Sequence, residues 1–216
     1  MTAASSGSAN PMPCALCSSI AAPREAWDRP LFESTHFIAL PSLGSLVEGW
    51  LLLMPRQHFI SVGALTPNLH EELATFKLDV CARLNSVYGD VCAFEHGPCA
   101  PGRQVGCGVD HAHVHLVPLG FDLVDAARDH LPRVEWQPAP WSACTPVVAH
   151  QLDYLFVEQP IGVGRIAVAP QFGSQILRRV IASRIGRPDE FNWRTHHQES
   201  SIDRTINSLR PMALVV

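Results

Sequence analysis

The sequence predicts an α+β fold: a mainly antiparallel sheet with a helix on one face, followed by a small C-terminal α/β extension. Three observations lead there. Short apolar runs of strand length recur through the first half, each closed by glycine or proline. One stretch repeats its apolar residues every three or four positions, as a helix lying on a core does. Beyond about residue 121 the chain turns proline-rich and then resumes short apolar elements, which sets an extension apart from the first unit.

Taken in order, residues 1–13 are small, polar and proline-bearing, and read as a flexible arm. Extended pieces are expected at residues 30–33 and 36–40. A buried strand follows at 50–54, bounded by Pro55. Pro67 opens a helix whose apolar stripe is Leu69, Leu73, Phe76, Val80 and Leu84, and Gly89 stops it. Strands are expected at 91–95 and 109–117, joined by a glycine-bearing loop in which Pro98 and Pro101 exclude regular structure. Few helical crossovers separate the strands, so the sheet should be largely antiparallel. In residues 121–216, 133–146 reads as an irregular linker or clasp, and 154–157 and 165–169 as a hairpin. Residues 174–185 read as a helix ended by Gly186. The units are therefore an arm to residue 13, a first domain over 14–120 and an extension packed on it.

Composition narrows the function classes. With 47% hydrophobic and 17% charged residues the chain can bury a core. A net charge of −4 without a basic run argues against a nucleic-acid partner held by its backbone, whereas a small phosphate ester needs only a few local donors. No apolar run reaches membrane-spanning length, and MTAASSGSANPMP lacks the basic and apolar parts of a secretory leader. A cytoplasmic location with reduced thiols is the expectation, so clustered cysteines should hold metal rather than pair. Cys81, Cys92, Cys99, Cys107 and Cys144 lack ligand spacing and read as packed or surface thiols.

The segment Asp110-His-Ala-His-Val-His-Leu-Val-Pro118 carries the chemistry. On a strand, His111, His113 and His115 fall on one side while Ala112, Val114 and Leu116 face the core. Metal ligation and nucleotidyl or phosphoryl transfer both suit such a row. A neutral imidazole is a nucleophile near neutral pH, and a second can serve the leaving group as an acid. The loop before the row, residues 102–108, contains Gln104, Gly106 and Gly108 and can turn backbone amides toward an anion. Cys14-Ala-Leu-Cys17 reads as a zinc half-site, a redox pair or a coincidence. The redox reading wants a helix start that Pro11 and Pro13 do not supply, and two thiolates with two imidazoles would complete a tetrahedral zinc site. His58 and His111 are candidates to complete it, although spacing alone does not select them among 11 histidines.

Taken together, Cys14-x-x-Cys17, Met54-Pro-Arg-Gln-His58, Phe94-Glu-His-Gly97 and the alternating histidines resemble the histidine-triad superfamily over roughly residues 14–118. The resemblance implies that His113 attacks the α-phosphorus of a nucleotide conjugate and that His115 contacts the phosphate and assists departure. It also implies a structural zinc on Cys14, Cys17, His58 and His111. Three positions depart from the superfamily's hydrolases: Glu95 stands where asparagine is common, Gly108 replaces a serine or glutamine, and Ser42 lies where an acid binds the ribose. These, with Gln104 and Gly106, are the candidate substrate contacts. Gly173 to Arg179 and Asn192-Trp-Arg194 resemble the tail of bacterial relatives with an extended C-terminus. There Gln175, Arg178 and Arg179 are within reach of an anion, with a solvated helix face as the alternative.

The expected activity is hydrolysis of a small nucleotide substrate through a nucleotidyl-histidine, releasing a nucleoside monophosphate. The alternatives are transfer to phosphate or a sugar phosphate, and a non-catalytic nucleotide-binding module. Related transferases carry glutamine at the third histidine position, which favours water here. A homodimer is compatible with the resemblance.

Overall fold

The computed structural model describes residues 14–103, 105–106, 108–168 and 173–210. The arm at 1–13 and the candidate contact Gln104 lie outside the described residues. A seven-residue helix, α1 (Ala15–Ala21), comes first. The sheet then begins with β1 (Phe32–Glu33), β2 (Phe37–Pro41) and β3 (Leu51–Pro55), in the stretches where apolar runs predicted strands. Helix α2 (Pro67–Tyr88) starts on Pro67 and buries Leu73, Phe76, Val80 and Leu84. It ends at Gly89, whose φ of +85° suits a residue without Cβ.

Next come β4 (Val91–Gly97) and β5 (Val114–Pro118). The second is shorter than the expected 109–117, for a local reason. Its partner β3 ends at Pro55, which has no amide hydrogen for a ladder. The Ala112 amide instead donates to the Phe59 carbonyl at 2.6 Å. His111 and His113 therefore sit on the approach to the strand, and only His115 is within it.

The remainder comprises α3 (Leu123–His130), β6 (Gln137–Pro138), α4 (Cys144–Ala149), β7 (Tyr154–Glu158), β8 (Gly164–Val168), α5 (Ile176–Arg184) and α6 (Glu199–Leu209). The hairpin and the helix ending near Gly186 stand where the pattern placed them. The expected irregular linker at 133–146 instead holds β6 and the start of α4. Its prolines occupy tolerated sites: Pro138 on a strand at the sheet edge, and Pro146 in the first turn of α4.

All strands join one antiparallel sheet in the order β1-β2-β3-β5-β4-β7-β8-β6. The C-terminal hairpin thus continues the sheet, with Phe94 opposite Val157 and His96 opposite Leu155. Side chains alternate across it. Val91 and Ala93 of β4 join the core under α2 and α6, whereas Cys92 and Phe94 join a second core under α3 and α5. Leu16 and Ile20 of α1 pack on Ile38, Leu40 and Met54. Among the described residues no helix is long and apolar enough to cross a membrane.

Candidate active site

His113 and His115 lie at a cleft whose walls come from distant parts of the chain. Ala15, Leu16 and Ser19 of α1 contribute one side, and Arg178 and Trp193 another. Trp27, Leu40, Ser42 and Leu52 are further lining residues. The two rings are 4.9 Å apart and nearly perpendicular. Both are buried, so the side chains around them, rather than solvent, set their protonation.

Hydrogen-bond partners identify the tautomers. His113 Nδ1 is 2.6 Å from the His111 carbonyl oxygen. A carbonyl only accepts, so Nδ1 carries the hydrogen and Nε2 keeps its lone pair in the neutral ring. His115 is the reverse. The Trp50 indole N–H, which only donates, lies 3.0 Å from His115 Nδ1. In neutral His115 the hydrogen therefore resides on Nε2. Burial lowers the basicity of His113, with a smaller contribution from the Arg178 charge, while the bond to the His111 carbonyl opposes the shift. Burial first, and then His113 and Arg178, hold His115 well below its ordinary value. Both rings are neutral at pH 7, one presenting a nucleophilic nitrogen and the other a hydrogen-bond donor.

The support of this pair runs outward. The His115 ring stacks on Phe94 at 4.5 Å, and the Arg178 guanidinium lies 4.6 Å from the centre of the Trp50 ring. Arg178 is 1% exposed and donates through Nε to the Phe191 carbonyl at 3.0 Å and through Nη2 to the Gly44 carbonyl. A residue of the C-terminal segment is thereby seated behind the histidines.

The metal candidates converge. The ligand atoms of Cys14, Cys17, His58 and His111 all lie within 4.8 Å of one another. His111 Nδ1 is 3.5 Å from Cys14 Sγ and 3.4 Å from Cys17 Sγ, and His58 Nδ1 is 3.4 Å from Cys17 Sγ. A tetrahedral zinc with ordinary bond lengths places sulfur and nitrogen ligands about 3.5 Å apart, so this donor set can hold such an ion. On the far side of the His111 ring, Nε2 lies 2.9 Å from the Pro55 carbonyl. Donation there leaves Nδ1 unprotonated for a metal. Burial and the neighbouring Cys14 thiol push Cys17 up to about 11, and a divalent cation is the partner that would draw out the thiolate.

Of the predicted substrate contacts, Ser42 lines the cleft, buried, with its hydroxyl on the Leu43 carbonyl. Gly106 and Gly108 engage the C-terminal segment: the Gly106 carbonyl accepts from Gln175 N and Ser174 Oγ, and that of Gly108 from Arg194. Glu95 is a correction. Strand alternation turns its carboxylate to the face opposite His115, where it accepts from Val62 N at 2.8 Å and from the Tyr154 hydroxyl. Desolvation there pushes its carboxyl up to about 8, against those two bonds. His96 instead shares the histidine face and accepts from the Leu177 amide at 3.4 Å, capping α5. Burial drives it down to about 3. Among the tail candidates, Gln175 and Arg178 are buried, whereas Arg179 is exposed and stacks on Phe191.

Sequence reasoning did not single out Trp50 or Trp27, and Trp193 entered it only within the motif Asn192-Trp-Arg194. For Trp50 a signal existed: an indole leading into a leucine-rich run must find an acceptor when buried.

A family model described as "Protein similar to CwfJ C-terminal" matches residues 9–129. Among solved structures, a hypothetical histidine triad nucleotide-binding protein from Sulfolobus tokodaii strain7 is 21% identical. That match covers 50% of this chain and 71% of the other, with a TM-score of 0.42. A protein from Streptococcus mutans UA159 is 20% identical over 61% of this chain and 90% of its own, also with a TM-score of 0.42. No curated protein matches the chain.

Proposed function

The chain belongs to the family of proteins similar to the CwfJ C-terminal region, and we propose that it is a nucleotide hydrolase working through a nucleotidyl group on His113. The observation that carries this reading is the pair of opposed tautomers, His113 with a lone pair on Nε2 and His115 with a hydrogen on Nε2. In the first step His113 Nε2 attacks the α-phosphorus, forming an N–P bond. The bond to the leaving group breaks and its electron pair departs with that group, which accepts a hydrogen bond from His115 Nε2. Water then attacks the same phosphorus while the His115 Nε2 hydrogen bond holds the phosphoryl group. The N–P bond breaks with its electrons returning to His113 Nε2, and one proton of the water passes to bulk solvent. A nucleoside monophosphate leaves and both rings are restored.

The apolar cleft, with Leu16, Trp27, Leu40 and Leu52, suits an uncharged nucleoside. We further propose zinc as the ion on Cys14, Cys17, His58 and His111. Its part would be structural, fixing the residue whose carbonyl orients His113.

The test is intact-mass analysis after mixing the protein with adenylated substrates and quenching without acid. A nucleotidyl adduct is expected, absent from His113→Ala, whose turnover should fall about a thousandfold or more. Full turnover by that variant would remove His113 as nucleophile. Products that appear only with added phosphate would replace hydrolysis by transfer.

A further inference from the structure

Trp193 lines the cleft, and its neighbours Asn192 and Arg194 tie this part of the chain to Gln175 and to the glycine-bearing loop. Asn192 Oδ1 accepts from the Gln175 side-chain amide at 3.3 Å and from Arg194 N at 3.1 Å. Trp193 N donates to Gln175 Oε1 at 3.5 Å. Gln175 is itself buried, holds a left-handed φ of +58°, and donates its backbone N–H to the Gly106 carbonyl at 3.2 Å. A non-glycine residue keeps that conformation only where its surroundings over-determine it. Arg194 then reaches back over the glycine-bearing loop. Its Nη2 donates to the Gly108 carbonyl at 2.9 Å, and its guanidinium lies 4.6 Å from the Trp193 ring centre.

Gly108 and Arg194 fit one another. A Cβ at Gly108 would stand 2.2 Å from Arg194 Nη2, and the glycine φ is +76°. With Arg194 in place, a side chain at Gly108 would have to displace the guanidinium. The next residue, Val109, lines the cleft with Trp193, His113 and His115. Arg194, on the Gly108 carbonyl and beside the cleft-lining Trp193, is exposed, and among the described residues no carboxylate pairs with it. One N–H of its five-donor fork is engaged by the Gly108 carbonyl, which leaves the others for an anion.

We propose that Arg194, held by Trp193 and the Asn192–Gln175 bonds, is the subsite for an anionic leaving group. The favoured substrates are then nucleoside polyphosphates, with negative charge beyond the α-phosphorus, over conjugates that release a neutral amine. This rests on the hydrolase reading. When the bond between the α-phosphorus and its bridging oxygen breaks, the electron pair stays on that oxygen. The departing polyphosphate gains charge, and the guanidinium meets it as His113 Nε2 takes the phosphorus.

Two substrates sharing one nucleoside, a dinucleoside tetraphosphate and a 5′-phosphoramidate, test the proposal with the full chain. Arg194→Ala should lower kcat/KM about tenfold to a hundredfold on the tetraphosphate, the range of a charge-assisted hydrogen bond, and stay within about threefold on the phosphoramidate. Arg194→Lys should recover part of the loss. Equal loss on both substrates, or loss on neither, overturns the proposal, the former assigning Arg194 a purely structural role. Calorimetric titration with inorganic triphosphate separates this from the hydrolase reading. If the parent chain turns over neither substrate but binds triphosphate about tenfold tighter than Arg194→Ala, the subsite stands and the hydrolase reading fails. Equal triphosphate affinity in the two proteins removes the subsite.

Discussion

Two hydrogen bonds decide what His113 and His115 can do, and one of them can be removed without touching either ring. In Trp50→Phe an aromatic ring remains, smaller than the indole, while the donor to His115 Nδ1 is lost. Nitrogen-15 spectra should then show His115 as a mixture of tautomers. The rate constant kcat should drop about tenfold, with KM changed less, because the His115 Nε2 hydrogen bond to the leaving group is no longer fixed by the tautomer. An unchanged kcat would mean that the indole only fills space. The histidines themselves were legible in the sequence, since three imidazoles in alternation are hard to explain as core. Their tautomers were not, because the deciding partners are a backbone carbonyl and a tryptophan 65 residues from His115. Glu95 shows the reverse case. Its neighbourhood in the chain suggested a substrate contact, but strand alternation, which the sequence does carry, assigns it to the other face.

Helix α1 has seven residues, and none of them is fully buried. A helix so short is marginal by itself, so its anchorage must come from packing of Leu16 and Ile20 and from ligands at its first turn. Cys14→Ser combined with Cys17→Ser should lower bound zinc from about one ion per chain to under about a tenth. Amide exchange should quicken in α1 while the sheet stays protected. Undiminished zinc in that variant would remove the two thiols from the site. Strand β4 makes a separate prediction. Its Glu95 is held at about 8, above the ordinary 4.5, so the folded chain keeps a proton that the unfolded chain releases between those values. The stabilisation is complete below 4.5 and is lost as pH rises toward 8, with a slope of up to about 1.4 kcal/mol per pH unit. Urea melts of the parent and Glu95→Gln across pH 5–8 should show this slope in the parent alone. Parallel profiles would show that Glu95 does not retain the proton. Helix α2 and the first strands were readable because periodicity and caps agree there. The stretch 133–146 was not, since its prolines mark both irregular chain and the tolerated starts of short elements.

In the whole molecule, β4 is paired on both sides: β5 takes one edge and β7 the other. Lys77 of α2 makes a buried ion pair with Glu158 of β7, tying the hairpin to the opposite layer as well. Arg178 and Trp193 reach the cleft from the same downstream part of the chain, so the sheet extension and the cleft wall arrive together. The neighbour that closes β4 is covalently attached, and its local concentration is set by the chain and not by the solution. Catalysis per chain should then be constant on dilution from micromolar to nanomolar protein, because intramolecular pairing does not dissociate as copies grow scarce. A specific activity that falls over that range would mean that a second copy completes the site.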